Sequence, residues 1–163
     1  MKVERIPVRE LMDECLELKG ILAENYGISL EADLDDDRAF LRGDRGLLRA
    51  ALNNIIDNSI RHNRHGGKIT VAYRCDGTRE SIIVSDTGKG IPYDELCSIR
   101  DLFCRAGKPG LDESERLEAG LIGLTIVRDV ADLHGGRVGI RSLEGEGSTY
   151  SFHLPRCGQL TSI

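Results

Sequence analysis

Leu52-Asn53-Asn54-Ile55-Ile56-Asp57-Asn58-Ser59-Ile60-Arg61-His62-Asn63 is the stretch on which the fold of this chain turns. Leu48, Ala51, Leu52, Ile55, Ile56 and Ile60 recur at helical spacing and predict a core-facing stripe. Asn54, Asn58 and Arg61, at i, i+4 and i+7, share a second, narrower stripe at roughly 100° per residue. Asparagine is a poor helix former, so two on one stripe are costly unless they do something there. An amide oxygen suits a hard cation such as Mg2+, and a neighbouring arginine suits a phosphate. Taken alone, the stripe fits a solvated polar edge at least as well. Asp44 caps this helix, which is expected to run through about His62.

Outward from the helix, the punctuation is regular. Pro7 opens an amphipathic helix carrying Val8, Leu11, Met12, Cys15, Leu16 and Leu18, and Gly27 ends it. Ile28, Leu30, Ala32 and Leu34 alternate as in a strand, Asp35-Asp36-Asp37 reads as a solvated turn, and a short strand is expected around Ala39–Leu41. After Gly66-Gly67, strands at about Lys68–Cys75 and Arg79–Ser85 flank an Asp76-Gly77 turn, a hairpin signal. A short helical piece runs from Pro92 to Cys104, followed by a polar loop over Arg105–Ala119. A further helix covers about Ile122–His134 and stops at Gly135-Gly136. Strands at Arg137–Ser142 and Thr149–Leu154 close the chain around Gly145-Glu146-Gly147. The order predicts an α+β, two-layer sandwich: a mixed, mostly antiparallel sheet covered on one face by about three helices.

The 163 residues suffice for one packed core, and we expect a single domain over 1–163. Tryptophan is absent and aromatics are only 4%, so the core must be built from Leu, Ile, Val and Ala. A net charge of −5 argues against a nucleic-acid binder, although one nucleotide needs only a few local donors. Cys15, Cys75, Cys97, Cys104 and Cys157 form no C-x-x-C pair, which suggests reduced thiols and a cytoplasmic setting. No run reaches the ~20 apolar residues that span a bilayer, so no membrane contact is expected of this segment. Any anchor of a membrane-bound parent would lie elsewhere.

Two further segments carry chemistry. In Val84-Ser85-Asp86-Thr87-Gly88-Lys89-Gly90-Ile91-Pro92, paired glycines allow close approach of backbone to a ligand, and Asp86 can accept from an amine such as that of adenine. A lone D-x-G-x-G is shared with calcium loops and plain turns, but Lys89 interrupts a calcium pattern. In Ala119-Gly120-Leu121-Ile122-Gly123-Leu124-Thr125-Ile126-Val127, glycines sit at a helix start, where free N–H groups favour phosphate. Helix packing alone explains them as well. The spacing is not that of a Walker A loop.

In this order the segments resemble the ATP-binding domain of histidine kinases, within the superfamily of type II topoisomerases, mismatch-repair ATPases and heat-shock chaperones. Leu52–Asn63 looks like the asparagine box and Asp86–Pro92 like the first glycine box. Asp101-Leu102-Phe103-Cys104-Arg105 resembles the phenylalanine box, Gly120–Val127 the second glycine box, and Gly145–Pro155 the closing box. The resemblance implies the Bergerat fold, with ATP or ADP and Mg2+ as cofactors. It implies that Asn58 ligates Mg2+ with Asn54 in support, and that Asp86 receives the adenine amine with help from Thr149. Arg61 and Arg105 would meet phosphates, Asn54 and Arg105 serving the transfer, and His62 would line the pocket. Gly88, Gly90, Ile91, Gly120, Ile122, Gly123 and Leu124 would complete it, and Arg105–Leu121 would form a lid.

Two departures stand out. Ungapped alignment with the usual G-x-G-L-G-L puts Ala119 and Leu121 where glycines are expected, so side chains could obstruct the phosphates or force a strained φ. None of His62, His65, His134 or His153 is followed by the acid and proline of a phosphoacceptor helix. We therefore expect the acceptor and dimerisation helix on a separate part of the parent, a response regulator downstream, and a monomeric fragment. ATP-hydrolysing relatives carry a glutamate where Asn54 stands, and an amide cannot serve as base. That favours phosphotransfer over an ATPase or anti-sigma-type kinase; a degenerate nucleotide-binding signalling module is the remaining alternative.

Overall fold

The computed structural model describes residues 1–104 and 121–156. Its first element is one the sequence pattern did not show. Strand β1 (Glu4–Pro7) pairs antiparallel with β3 (Phe40–Gly43), Glu4 opposite Gly43 and Pro7 opposite Phe40. Four residues with a single buried side chain, Ile6, carry no readable period; the partner strand makes them a strand. Pro7, at φ −61°, is both the end of β1 and the N-cap of α1 (Val8–Asn25). Gly27, at φ +67°, turns the chain out of that helix into β2 (Ser29–Leu34).

Helix α2 (Arg45–Arg61) begins as expected, Asp44 accepting from Leu47 N at 3.1 Å. Beyond it lie β4 (Lys68–Cys75), β5 (Arg79–Asp86), α3 (Tyr93–Cys104), α4 (Ile122–Leu133), β6 (Arg137–Leu143) and β7 (Gly147–Pro155). Counting α3, four helices are present among the described residues, against the expected three or so. The main sheet has the order β2-β4-β5-β7-β6, parallel only between β2 and β4. That one parallel pair is the consequence of the crossover through β3 and α2.

Along β5 and β7, alternate residues face the helices: Ile82, Val84 and Asp86, and Ser148, Tyr150, Phe152 and Leu154. Against them lie the α2 stripe predicted from Leu48 to Ile60 and Leu124 to Ala131 of α4, while α1 packs beside α2 and on β2. Burying each such aliphatic side chain contributes about 1.5–3 kcal/mol, so the apolar spacing determines the layer order. Among the described residues, no helix is long and apolar enough to cross a membrane.

One polar knot ties the helical layer together. His134, capping α4, donates through Nδ1 to Val130 O at 2.7 Å, which leaves Nε2 to accept from Asp44 N at 3.0 Å. Asp44 meanwhile caps α2 and accepts from Lys2 N at 2.7 Å, so one residue joins α2, α4 and the N-terminal segment. His134→Ala removes the acceptor for Asp44 N–H. It is expected to cost about 1 kcal/mol in the unfolding free energy, measured by urea denaturation against wild type.

Candidate functional site

The site forms where β5 ends, between α2, the β6–β7 turn and the start of α4. Asp86 is its centre. Its Oδ1 accepts from Gly88 N at 2.9 Å and Ser148 N at 3.2 Å, while Oδ2 is buried with no hydrogen-bond partner. Buried carboxylate oxygens are normally satisfied, so this atom points to a donor that the chain does not supply. Ser59, also buried, has its hydroxyl near enough to lower the Asp86 carboxyl, but in a geometry that forms no hydrogen bond to it. Burial is the stronger effect and raises that carboxyl above the ordinary aspartate range, against the pull of the two backbone N–H groups.

The glycines around Asp86 meet backbone of the chain itself. A Cβ on Gly88 would stand 2.5 Å from His62 O, one on Gly90 (φ +71°) would collide with Leu143 O, and one on Gly147 with Asp86 O. Lys89 N donates to His62 O at 2.9 Å and Gly145 N to Lys89 O at 2.7 Å. The bare backbone predicted to approach a ligand is thus used first to clamp the loop between α2 and the β6–β7 turn. Ile91 is buried beneath it, its N–H donating to Ser142 Oγ at 2.8 Å.

On α2 the second stripe is polar and engaged. Asn58 is buried; its Nδ2 donates to the Tyr150 hydroxyl and its Oδ1 accepts from Arg61 Nη2 at 2.8 Å. Arg61 also reaches Glu95 Oε1 on α3 at 3.1 Å, and His62 Nε2 lies 3.1 Å from that same oxygen. Burial lowers the His62 pKa, with Glu95 pulling it upward. Asn54 donates to Ala50 O at 2.8 Å and faces Gly123, where an added Cβ would come within 2.6 Å of Asn54 Oδ1. Asp57 turns to α1 and pairs with Lys19 at 2.8 Å.

Three expectations change. Thr149 lies opposite Ser85, its hydroxyl 3.3 Å from Ser85 Oγ, on the sheet face away from Asp86; the residue that reaches Asp86 from this strand is Ser148, through its backbone N–H. A strand alternates faces at every residue, so an error of one position inverts the side chain. Leu121 neither obstructs nor strains: its side chain is fully buried in the core at φ −96°. Leu124 is likewise a core residue, offering a ligand only backbone, while Ile122 is exposed. Arg105, Ala119, Gly120 and the expected lid up to Gly120 lie outside the described residues.

Glu95, Tyr150 and Ser148 belong to the same corner and were not expected there. An acid in the first turn of α3 is ordinary helix chemistry, so Glu95 gave no distinct signal. Ser148 was findable by counting alternation back from Phe152 and Tyr150.

A family model described as histidine kinase-, DNA gyrase B-, and HSP90-like ATPase matches residues 43–157. The chain belongs to that family. It is 32% identical to the sensor protein DivL of Caulobacter vibrioides over 161 residues, 98% of this chain and 20% of DivL. The chain therefore spans about a fifth of that relative's length. Among solved structures, the catalytic domain of histidine kinase ThkA superposes with a TM-score of 0.76 at 22% identity, covering 95% of this chain and 97% of that one. Full-length ShkA in complex with AMPPNP gives a TM-score of 0.76 at 26% identity, covering 95% and 31%. This member of the family thus has the histidine-kinase catalytic fold.

A carboxyl raised by burial favours folding at acid pH, and that contribution is lost as pH rises through its folded-state pKa. Asp86→Asn keeps an oxygen for the two N–H donors without the buried charge. Without added nucleotide, the variant is expected to melt above wild type at pH 7, with the gap closing toward about pH 3, near the ordinary aspartate range. Thermal melts at the two pH values check this.

Proposed function

We propose that this domain binds ATP with Mg2+ and presents the γ-phosphoryl group to a histidine on a dimerisation helix elsewhere in its parent protein. The partnerless Oδ2 of Asp86 carries the reading. A buried carboxylate beside two clamped glycines asks for an N–H donor, and the exocyclic amine of adenine is one. Ser148 lines the same corner through its backbone N–H, and Ile91 supports the loop beneath it.

The donors available fit a metal carried by the nucleotide. Among the described residues, no cluster of three or more His, Cys, Asp or Glu could hold an ion by itself. Asn58 Oδ1 already faces a cation in Arg61, so its surroundings suit positive charge. A Mg2+ there would take this oxygen together with phosphate oxygens, and when bound it would neutralise phosphate charge. Arg61 and, outside the described residues, Arg105 are the candidate phosphate partners. Asn54, held against Gly123, is placed to steady the same end of the nucleotide.

The residues also favour transfer over hydrolysis. Asn54 is an amide, Asp57 is paired with Lys19 on another face, and Asp44 is engaged as a helix cap. None is free to activate water, whereas positioning and charge neutralisation suffice for transfer to an external nucleophile. A downstream response regulator belongs to the same proposal.

Calorimetry tests the pocket. Asp86→Asn is expected to weaken ATP binding roughly tenfold or more, the scale of a hydrogen bond to a charged group. Asn58→Ala is expected to weaken binding in Mg2+ far more than in EDTA. No binding by wild type at millimolar ATP would sink the proposal. Binding without radiolabel transfer to a matched acceptor helix would assign the domain to non-catalytic signalling.

A further inference from the structure

Asn58 can hold its amide only one way here. A guanidinium offers donors alone, so the oxygen must face Arg61, and the nitrogen turns to the Tyr150 hydroxyl. Oδ1 is therefore the group that Asn58 has to offer a cation, and Arg61 holds it at 2.8 Å. Arg61 in turn is fixed from the far side: Glu95 Oε1, on α3, accepts from the same Nη2 at 3.1 Å. That oxygen also meets His62 Nε2 at 3.1 Å, which ties the end of α2 to the start of α3.

We propose that Glu95 is a positioning residue that keeps Arg61 on Asn58 Oδ1, so that Arg61 and a metal ion compete for one oxygen. Binding of a Mg-nucleotide then exchanges the guanidinium for the metal, and the released Arg61 meets the phosphates. This rests on the nucleotide reading given above. The exchange follows from charge. A guanidinium and a divalent ion a few ångström apart in a half-buried site repel, and both cannot share Oδ1 at close range. Glu95 resists the exchange twice over, by giving Arg61 a second acceptor and by placing negative charge beside the incoming phosphates. The Arg61 side chain is 49% exposed and that of Glu95 26%, so the hold is of surface ion-pair strength. That corresponds to an effect of about two- to fivefold on binding.

Glu95→Gln separates the parts of the proposal. Without nucleotide, the Arg61 Nε–Hε heteronuclear NOE is expected to report an ordered side chain in wild type and a mobile one in the variant. Equal values in both proteins would overturn the hold. With ADP as probe, the variant is expected to bind about two- to fivefold more tightly in Mg2+, with a distinctly smaller change in EDTA. Equal tightening in both buffers would report charge repulsion alone and overturn the exchange. Nucleotide binding with no effect of Glu95→Gln would overturn the exchange and leave the nucleotide reading standing. No binding of ADP or ATP to either protein would overturn both.

Discussion

The carboxylate of Asp86 ties three parts of the chain together and leaves one atom over. Through Oδ1 it fixes the loop at Gly88 and the last strand at Ser148, while the carbonyl of the same residue lies against Gly147. Those contacts decide where the β6–β7 turn and the glycine loop sit relative to α2. The remaining oxygen is buried without a partner, at a cost to the folded chain that an external donor would relieve. Burial outweighs the two backbone donors there, and the carboxyl pKa is raised.

Helix α2 divides its surface among three tasks. One face is core, from Leu48 to Ile60; one carries Asn54, Asn58 and Arg61; Asp57 on a third meets Lys19 of α1. Because a helix separates faces by angle, the acid nearest in sequence to the asparagines is kept from them.

Most of this was legible in the sequence where a local rule applied. Asp44 as a cap, Gly27 and Gly135-Gly136 as stops, the Asp76-Gly77 hairpin and the α2 stripe all depend on neighbours a few residues away. Strand β1 was not legible, because its four residues become a strand only opposite Phe40–Gly43. Nor was the use of Gly88 and Gly90, since a glycine signals close approach without saying to what. Thr149 was misplaced because a residue one position from the right one looks equivalent in sequence and lies on the other side of a sheet. Leu121 looked like an obstacle only while its side chain had no assigned direction; the core takes it.

The sheet order has a consequence for how the domain is made. Strand β7 is the last of the described elements, yet it lies between β5 and β6 and supplies Ser148, Gly147 and Tyr150 to the site. During synthesis β5 waits with an unpaired edge until β7 has emerged, and the corner around Asp86 cannot close before then. A nascent chain stopped short of Ser148 would own the asparagines and the glycine loop but no pocket. Recognition by a nucleotide would then report that translation had passed this strand, making the ligand a late stabiliser of a domain whose long-range pairings form last.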